Sequence, residues 1–143
     1  MRVGRELVGC QLINTEGEKK FLPGQRSSDA EFVIDNRGPH VLCEGYATAL
    51  SAQRALRNLK RKYTLHVTFS AGNMKKIAAR LPGGIVIADN DATLTGQKAA
   101  KEIGWPFWLS DVVGEDANDF DVRCGSFALA QGLAKVMEVR RPP

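Results

Sequence analysis

The sequence predicts an α/β fold in which a four-stranded parallel sheet is flanked by helices and preceded by an N-terminal antiparallel β-hairpin subregion. Two observations predict this class. From Val41 onward, short apolar runs alternate with segments long enough for helices, which is typical of parallel strands joined by crossover helices. Before Val41, short strand-like runs are separated by turn residues, which favours antiparallel pairing. We therefore divide the chain into a β-rich extension at residues 1–40, an α/β domain at residues 41–139 and a tail at residues 140–143.

The extension contains three predicted strands. Residues 6–14 and 19–22 flank the turn sequence Thr15-Glu-Gly-Glu18, and this pattern predicts a hairpin. Residues 31–35 predict a third strand of the same antiparallel unit, because the sequence Asn36-Arg-Gly-Pro39 breaks the chain directly after it.

The α/β domain contains four predicted strands, at residues 41–43, 65–69, 85–88 and 105–109. Helices are predicted at residues 46–59, 74–81, 96–103 and 126–139. Thr95 is a candidate cap for the third helix, and Gly104 lies just past its end. Residues 110–121 are rich in acidic side chains and are predicted to form a loop.

Composition limits the class of protein. At 143 residues the chain is long enough for one domain with a buried core. No apolar run approaches the roughly 20 residues that cross a bilayer, and the first residues lack the apolar centre of a secretion signal. We therefore expect a cytoplasmic protein with no membrane partner.

The cysteines and glycines exclude several kinds of site. Cys10, Cys43 and Cys124 are too scattered for a disulfide framework or a zinc site. No glycine-rich phosphate loop of the P-loop type occurs, so the sequence contains no helicase motor. The formal net charge of +4 is compatible with a polyanionic partner but does not require one.

Carboxylates stand at the ends of two predicted strands. Glu44 follows the first strand of the α/β domain, and Asp89 and Asp91 follow the third. Ligands of α/β proteins bind at the carboxyl ends of the strands, so these side chains share one space if the two strands are neighbours. Such a group of oxygens suits Mg²⁺. Two alternatives stay open, since Asp-Asn-Asp is also common turn and helix-capping chemistry, and Glu44 is equally suited to the start of a helix.

Taken in order, these motifs resemble the Toprim domain, a Rossmann-like domain shared by topoisomerases, bacterial and phage primases and some nucleases. Glu44-Gly45 matches the first motif of that family, and Asp89-Asn90-Asp91 matches the second. Residues 69–73 are similar to the turn after the middle strand in phage and plasmid primases. Residues 114–119 are similar to the acidic motif that ends the domain in phage primase-helicases.

The resemblance extends upstream of the domain. Residues 7–13 and 17–24 look like the segment that precedes Toprim in phage DNA primase/helicase proteins, so the similarity covers residues 7–120. One position departs from the family pattern. Many members have a glycine three residues after the second aspartate, whereas here the next glycine is Gly96, five residues after Asp91. A longer loop before the helix is the expected consequence.

The resemblance implies a metal site and a set of catalytic residues. The implied cofactor is Mg²⁺, with Mn²⁺ as an alternative. Glu44, Asp89 and Asp91 would be the catalytic residues, and Glu44 would act either as general acid/base or as a metal ligand. Asp119 is a less favoured ligand than its neighbour Asp116. The implied metal ligands are Glu44, Asp89, Asp91 and Asp116.

The function implied by the resemblance is that of a DNA primase from a phage or plasmid. Such a nucleotidyltransferase joins ribonucleoside triphosphates into RNA primers on a single-stranded DNA template during DNA replication. A helicase and a zinc-binding domain, in the same chain or in a partner chain, would supply unwinding and template recognition. Two alternatives stay open: a metal-dependent Toprim nuclease, and a non-catalytic module that binds nucleic acid.

Basic residues crowd the end of the first helix of the α/β domain. Arg54, Arg57, Lys60 and Arg61 are candidates for binding the phosphates of a template strand. Cations at this end of a helix also stabilise the helix dipole, so a solvated face is the alternative.

Two further lysines follow the aspartates. Lys98 and Lys101 lie one helical turn apart and are candidates for contacting an incoming triphosphate, or else face solvent. Trp105 and Trp108 could stack on bases, but a Trp-Pro-Phe-Trp run in a predicted strand is more typical of packing.

Overall fold

The computed structural model describes residues 1–139, which form nine strands and five helices, and the predicted tail at residues 140–143 lies outside the described residues. The strands are β1 (Arg2–Val3), β2 (Glu6–Leu7), β3 (Gln11–Ile13), β4 (Lys19–Phe21), β5 (Phe32–Asp35), β6 (His40–Cys43), β7 (Thr64–Val67), β8 (Gly84–Ala88) and β9 (Phe107–Leu109). The helices are α1 (Tyr46–Asn58), α2 (Ala71–Ala78), α3 (Thr95–Ile103), α4 (Ala117–Cys124) and α5 (Ser126–Glu138).

The main sheet has the strand order β5-β7-β6-β8-β9. Strands β7, β6, β8 and β9 are parallel, which confirms the predicted α/β class. The sheet also has a fifth strand, because β5 pairs antiparallel with β7 at the edge. Our assignment of this strand to the N-terminal antiparallel unit was therefore wrong. Its partner lies about thirty residues further along the chain, and a local pattern carries no information about such a distant partner.

Helices cover both faces of the sheet. Val41 and Cys43 of β6 pack into a core with α1, α4 and α5, whereas Leu42 packs into a second core with α2 and α3. All five residues of β8 are buried, as expected for a central parallel strand whose two faces both meet helices. These two strands are the rigid centre of the fold.

The predicted hairpin is present: β3 pairs antiparallel with β4, with Gln11 opposite Phe21 and Ile13 opposite Lys19. A shorter hairpin, β1 with β2, precedes it and was not predicted. Our single strand over residues 6–14 was therefore wrong in its first part, because residues 6–7 belong to this shorter hairpin. Arg2 forms a bridge with Glu31, which ties this first hairpin to the start of β5.

The predicted acidic loop is shorter than expected, because α4 begins inside it. Asp116 is the N-cap of α4, and its carboxylate accepts hydrogen bonds from the backbone N–H groups of Asn118 (2.7 Å) and Asp119 (2.9 Å). The Asp119 carboxylate in turn accepts a bond of 3.2 Å from the backbone N–H of Asp116. This reciprocal capping box gives Asp119 a structural task and starts a helix in a polar segment.

Trp108 packs in the core, in line with the packing interpretation of the tryptophan pair. It is 7% exposed and its ring lies edge-on to Phe120, with 5.1 Å between ring centroids. Gly132 of α5 allows this approach, since a Cβ there would lie 2.4 Å from the indole nitrogen. Within residues 1–139, no helix has the length and apolar character needed to cross a bilayer.

We predict that Gly84→Ala destabilises the fold by roughly 1–3 kcal/mol, because overpacking displaces backbone. A Cβ on Gly84 would lie 2.3 Å from the backbone oxygen of His40, inside the β6–β8 pairing. Gly72→Ala is the matched control, since a Cβ there meets nothing within 4 Å and alanine favours the helix. Urea unfolding measures both variants, and equal stabilities would contradict the prediction.

Candidate metal centre

Strands β6 and β8 place two acidic motifs side by side. They pair in parallel, with Cys43 opposite Ile87, so Glu44 and Asp89 leave the sheet at neighbouring carboxyl ends. The sequence argument required these strands to be neighbours, and they are. Glu44 and Asp89 are both partly buried.

Glu44 lies between the ends of β6 and β7. Its backbone oxygen accepts a hydrogen bond of 3.0 Å from the N–H of Phe69. Burial raises the pKa of the Glu44 carboxyl, and the charge of Asp91 raises it further. The ammonium of Lys19 and the backbone N–H of Ala71, at the start of α2, act in the opposite direction.

Asp89 is the least satisfied carboxylate of the group. Its Oδ1 is buried and accepts no hydrogen bond from any described residue. Burial raises the pKa of Asp89 to about 7, and the charges of Asp116 and Glu44 add to this shift. The fold therefore places the Asp89 carboxylate where its negative charge is unfavourable, and no hydrogen-bond donor contacts its Oδ1.

Asp91, by contrast, is well satisfied. Its carboxylate accepts hydrogen bonds from the hydroxyl of Thr93 and from the backbone N–H groups of Thr95 and Gly96, both at 3.1 Å. These bonds, that of Thr93 foremost, lower its pKa to about 2. The side chain that caps α3 is therefore Asp91, and our assignment of Thr95 as the cap was wrong, because Thr95 is already the first helical residue.

Gly96, the glycine that departs from the family spacing, lies where α3 approaches the end of β8. A Cβ at Gly96 would lie 2.7 Å from the backbone oxygen of Asp89, so α3 can approach the end of β8 this closely only with a glycine there. Residues 92–94 form a turn before the helix, with Leu94 in the left-handed region at φ 60°. The later glycine therefore serves the contact between helix and strand.

Asn90 joins the second acidic motif to the third. Its backbone N–H donates to the oxygen of Glu115 at 3.0 Å, and its side-chain amide donates to the oxygen of Ser110 at 3.0 Å. Gln97 of α3 donates to its Oδ1 at 2.8 Å. These bonds hold Asp116 near Asp89. The sequence analysis gave Asn90 no role in positioning these acids, although its place between the two aspartates was the available signal.

Arg123 of α4 neutralises the other acids of this loop. It bonds Asp111 at 2.7 Å and Glu115 at 2.7 and 2.8 Å. The hydrogen bond from Arg123 lowers the pKa of Glu115. Asp116 has no ion pair within the described residues, and its charge raises the pKa of Asp89.

The donor set fits a hard divalent cation. All of the donors are carboxylate oxygens, and the bonding capacity of the Asp89 oxygen Oδ1 is unused. No three His, Cys, Asp or Glu side chains within residues 1–139 are arranged closely enough to enclose an ion by themselves. Magnesium keeps several waters and needs only one or two protein carboxylates, so a partial set of ligands is sufficient.

Comparison with protein families identifies the domain. A family model described as a Toprim domain matches residues 40–126, which is more than half of the chain. The chain belongs to the Toprim family. Toprim domains bind divalent metal ions, typically Mg²⁺, and occur in primases, topoisomerases and nucleases, so membership implies metal-dependent processing of nucleic acids. Neither the curated proteins nor the solved structures gave a match.

All four candidate carboxylates, Glu44, Asp89, Asp91 and Asp116, lie inside the Toprim match, whereas the β3–β4 hairpin precedes it. Lys98 and Lys101 are exposed on the first and second turns of α3, whose N-terminus adjoins Asp91.

The structure does not bring the basic end of α1 to the Toprim carboxylates. Arg57 follows Gly45 by twelve residues, which corresponds to about 18 Å along a helix. Lys60 and Arg61 lie beyond it. Arg54 forms an ion pair with Asp121 of α4, whose side chain is fully buried, so this arginine has a structural task.

We predict opposite effects for the same substitution at two aspartates. Asp89→Asn should stabilise the metal-free protein by roughly 1–3 kcal/mol at pH 8, because it removes an unfavourably placed charge. Asp121→Asn should destabilise it by roughly 1–3 kcal/mol, because it removes the buried charge that pairs with Arg54. Denaturant unfolding without metal measures both changes.

The gain from Asp89→Asn depends on pH. The pKa of Asp89 is raised to about 7 in the folded state, so its penalty is absent below the unfolded value of about 4 and grows as pH rises to 7. The two proteins should therefore be equally stable near pH 4, and Asp89→Asn should be the more stable above pH 7. A gain that is the same at both pH values would contradict this origin.

Proposed function

We propose that this chain is the Toprim domain of a DNA primase, which joins ribonucleotides into RNA primers on a single-stranded DNA template. The observation that carries the proposal is Asp89, a partly buried carboxylate with an unpartnered oxygen among other acids at the carboxyl edge of the sheet. The primase type is supported by the resemblance of residues 69–73 and 114–119 to phage primases. A helicase and a zinc-binding domain, in this chain or a partner, would supply unwinding and template recognition.

Asp89, Asp91 and Asp116 would hold Mg²⁺ or Mn²⁺. When bound, the ion offsets negative charge on the phosphoryl group that is transferred. Asp91 can take part while it caps α3, because each carboxylate oxygen has more than one lone pair. Asp116 uses its Oδ1 for the cap of α4, and its second oxygen is available.

Glu44 would accept the proton in the chemical step. The oxygen of the primer 3′-hydroxyl forms a bond to the α-phosphorus of the incoming triphosphate, the bond to the bridging oxygen breaks, and pyrophosphate leaves. The hydroxyl proton passes to the Glu44 carboxylate, which is partly buried and held at the start of α2. One nucleotide is added, and no other reactant is consumed.

Gly45 leaves the space in front of the carboxylates open. Its φ of −96° is ordinary for any residue, and a Cβ there would meet its nearest neighbours at 3.6 Å, an ordinary contact. The fold therefore does not require a glycine at this position. In this proposal, the glycine serves the substrate instead: it lets a substrate phosphate approach Glu44 and Asp89.

The basic residues have different places in this proposal. Lys98, on the first turn of α3, would contact the triphosphate, and Lys101 lies one turn further away. Arg57, Lys60 and Arg61 are too distant for the reacting phosphates and would bind the template strand beyond the site.

We predict that Glu44→Gln and Asp89→Asn each abolish primer synthesis while the protein stays folded, because each removes a carboxylate from the chemistry. The assay incubates the protein with single-stranded DNA, Mg²⁺ and labelled ribonucleotides. Glu102→Gln is the matched control, since Glu102 is an exposed acid on α3 whose ion pair with Lys75 contributes little. Manganese-induced broadening of backbone amide signals should persist in Glu44→Gln and weaken in Asp89→Asn.

The same assay separates the alternatives. Labelled oligomers support the primase. Shortened DNA with no labelled product would instead indicate a Toprim nuclease, and binding of DNA with neither product would indicate a non-catalytic module. Primer synthesis that survives both substitutions would contradict the assignment of these carboxylates.

A further inference from the structure

The β3–β4 hairpin brings a cation to the carboxylates from outside the family match. Lys19 lies on β4, and its ammonium is 3.6 Å from the place that a Cβ on Gly45 would occupy. Its charge lowers the pKa values of Glu44 and Asp89, against the effect of burial. Lys19 nevertheless forms no ion pair within 4 Å in the described part of the chain. The ammonium is therefore near the site and bound by none of its acids.

Phe21 places an aromatic ring beside the same site. Residues two apart on a strand share a face, so Phe21 and Lys19 face the domain together, whereas Lys20 points the other way. The ring of Phe21 contacts that of Phe69 edge-on, with 6.0 Å between centroids. Phe69 follows β7 at a φ of 65°, an uncommon conformation for a residue other than glycine, and its N–H bonds the backbone of Glu44.

A cleft of about 320 Å³ adjoins these two rings. It lies between the loop before β5 and the start of α2, and none of its lining residues is acidic. Ser28 and Ser70 contribute hydroxyl groups and Lys76 an ammonium, which donates to the Ser28 hydroxyl at 2.8 Å. Aromatic rings beside hydroxyl and ammonium groups suit a ligand with a planar base and a phosphate.

The far wall of the cleft is fixed in place. Asn73 of α2 is 6% exposed, and its amide donates to the backbone oxygens of Ala30 (2.6 Å) and Thr68 (2.9 Å). Its Oδ1 accepts a bond of 2.7 Å from the N–H of Asp29. The loop is thereby held against α2, so the cleft exists before any ligand binds.

We propose that the β3–β4 hairpin completes the active site: Lys19 binds a substrate phosphate at the carboxylate centre, and the cleft beside Phe21 and Phe69 holds the nucleoside of that substrate. This inference rests on the proposed function, because it assumes that the phosphate at the centre belongs to a nucleotide. The ligand is a nucleoside phosphate, either a free ribonucleoside triphosphate or the 3′ end of a strand. Lys19 supplies a positive charge that attracts the substrate phosphate, which the carboxylates alone would repel.

The test compares Lys19→Met with Lys20→Met, which removes the neighbouring charge on the opposite face of β4. ATP is titrated in the presence of Ca²⁺, and the amide signals of residues 27–31 and 69–73 report binding. Lys19→Met should weaken ATP binding about tenfold, the loss expected for one charge-assisted contact, and Lys19→Arg should restore most of it. Lys20→Met should leave the affinity within about twofold, because side chains alternate along a strand and Lys20 lies on the face of β4 opposite to Lys19.

Manganese binding distinguishes this role from simple neutralisation of the acids. A lysine that only offsets the carboxylates would, when replaced by methionine, strengthen Mn²⁺ binding and leave ATP binding unchanged, and that result would overturn the proposal. Phe21→Leu tests the nucleoside part. It should weaken binding of ATP but not of inorganic tripolyphosphate. Equal weakening of both would contradict the assignment of the nucleoside to the cleft.

A short oligonucleotide titrated in parallel identifies the source of the phosphate. If the affinity for ATP depends on Lys19, the subsite belongs to the incoming nucleotide. If only the affinity for the oligonucleotide depends on Lys19, the subsite belongs to the strand end. If neither affinity depends on Lys19, the inference is overturned. Equal primer synthesis by Lys19→Met and Lys20→Met would also overturn the inference, but it would leave the primase function intact. ATP binding that depends on Lys19, in a protein that makes no primers, would support the subsite and contradict the primase function.

Discussion

The parallel pairing of β6 with β8 is the constraint on which the candidate site depends. Both strands are buried between two helical layers, so their relative position is fixed by the core and not by the acids at their ends. Glu44 and Asp89 are carried into one space as a consequence. The close approach at Gly96 and the bonds of Asn90 then bring α3 and the start of α4 to the same place.

The carboxylates at this edge divide into two kinds. Asp91 and Asp119 are satisfied by backbone N–H groups and serve as caps, whereas Asp89 has an unused buried oxygen and a pKa raised to about 7 by burial and by neighbouring charge. A structural acid is expected to be paired, because unpaired buried charge costs stability. Asp121 also has an unbonded buried Oδ1, but its other oxygen pairs with Arg54, whereas Asp89 has no ion pair within the described residues. Asp89 is costly to the empty fold, and a bound divalent cation would reverse that cost. Functional sites are where such unfavourable placements are retained.

The sequence was sufficient for the four parallel strands and the α/β class, because these follow from local patterns. It placed Glu44 beside Asp89 only on the condition that their strands are neighbours, and the structure shows that they are. It was insufficient for β5 and for Lys19, whose partners are set by contacts between distant segments. It also misjudged the start of α3, where Thr95 has the composition of a cap but the carboxylate of Asp91 reaches the N–H groups first. The motif had left helix capping open as an alternative, and the structure shows that Asp91 has this task.

The central claim is that the acids around Asp89 form a divalent metal centre. The most direct measurement is an anomalous difference map from crystals of the protein grown with millimolar Mn²⁺. Our account predicts a peak at bonding distance from the Asp89 carboxylate, with Asp116 or Asp91 as its neighbour and waters completing the shell. A map with no peak at Asp89, in crystals whose carboxylates are well ordered, would contradict the account.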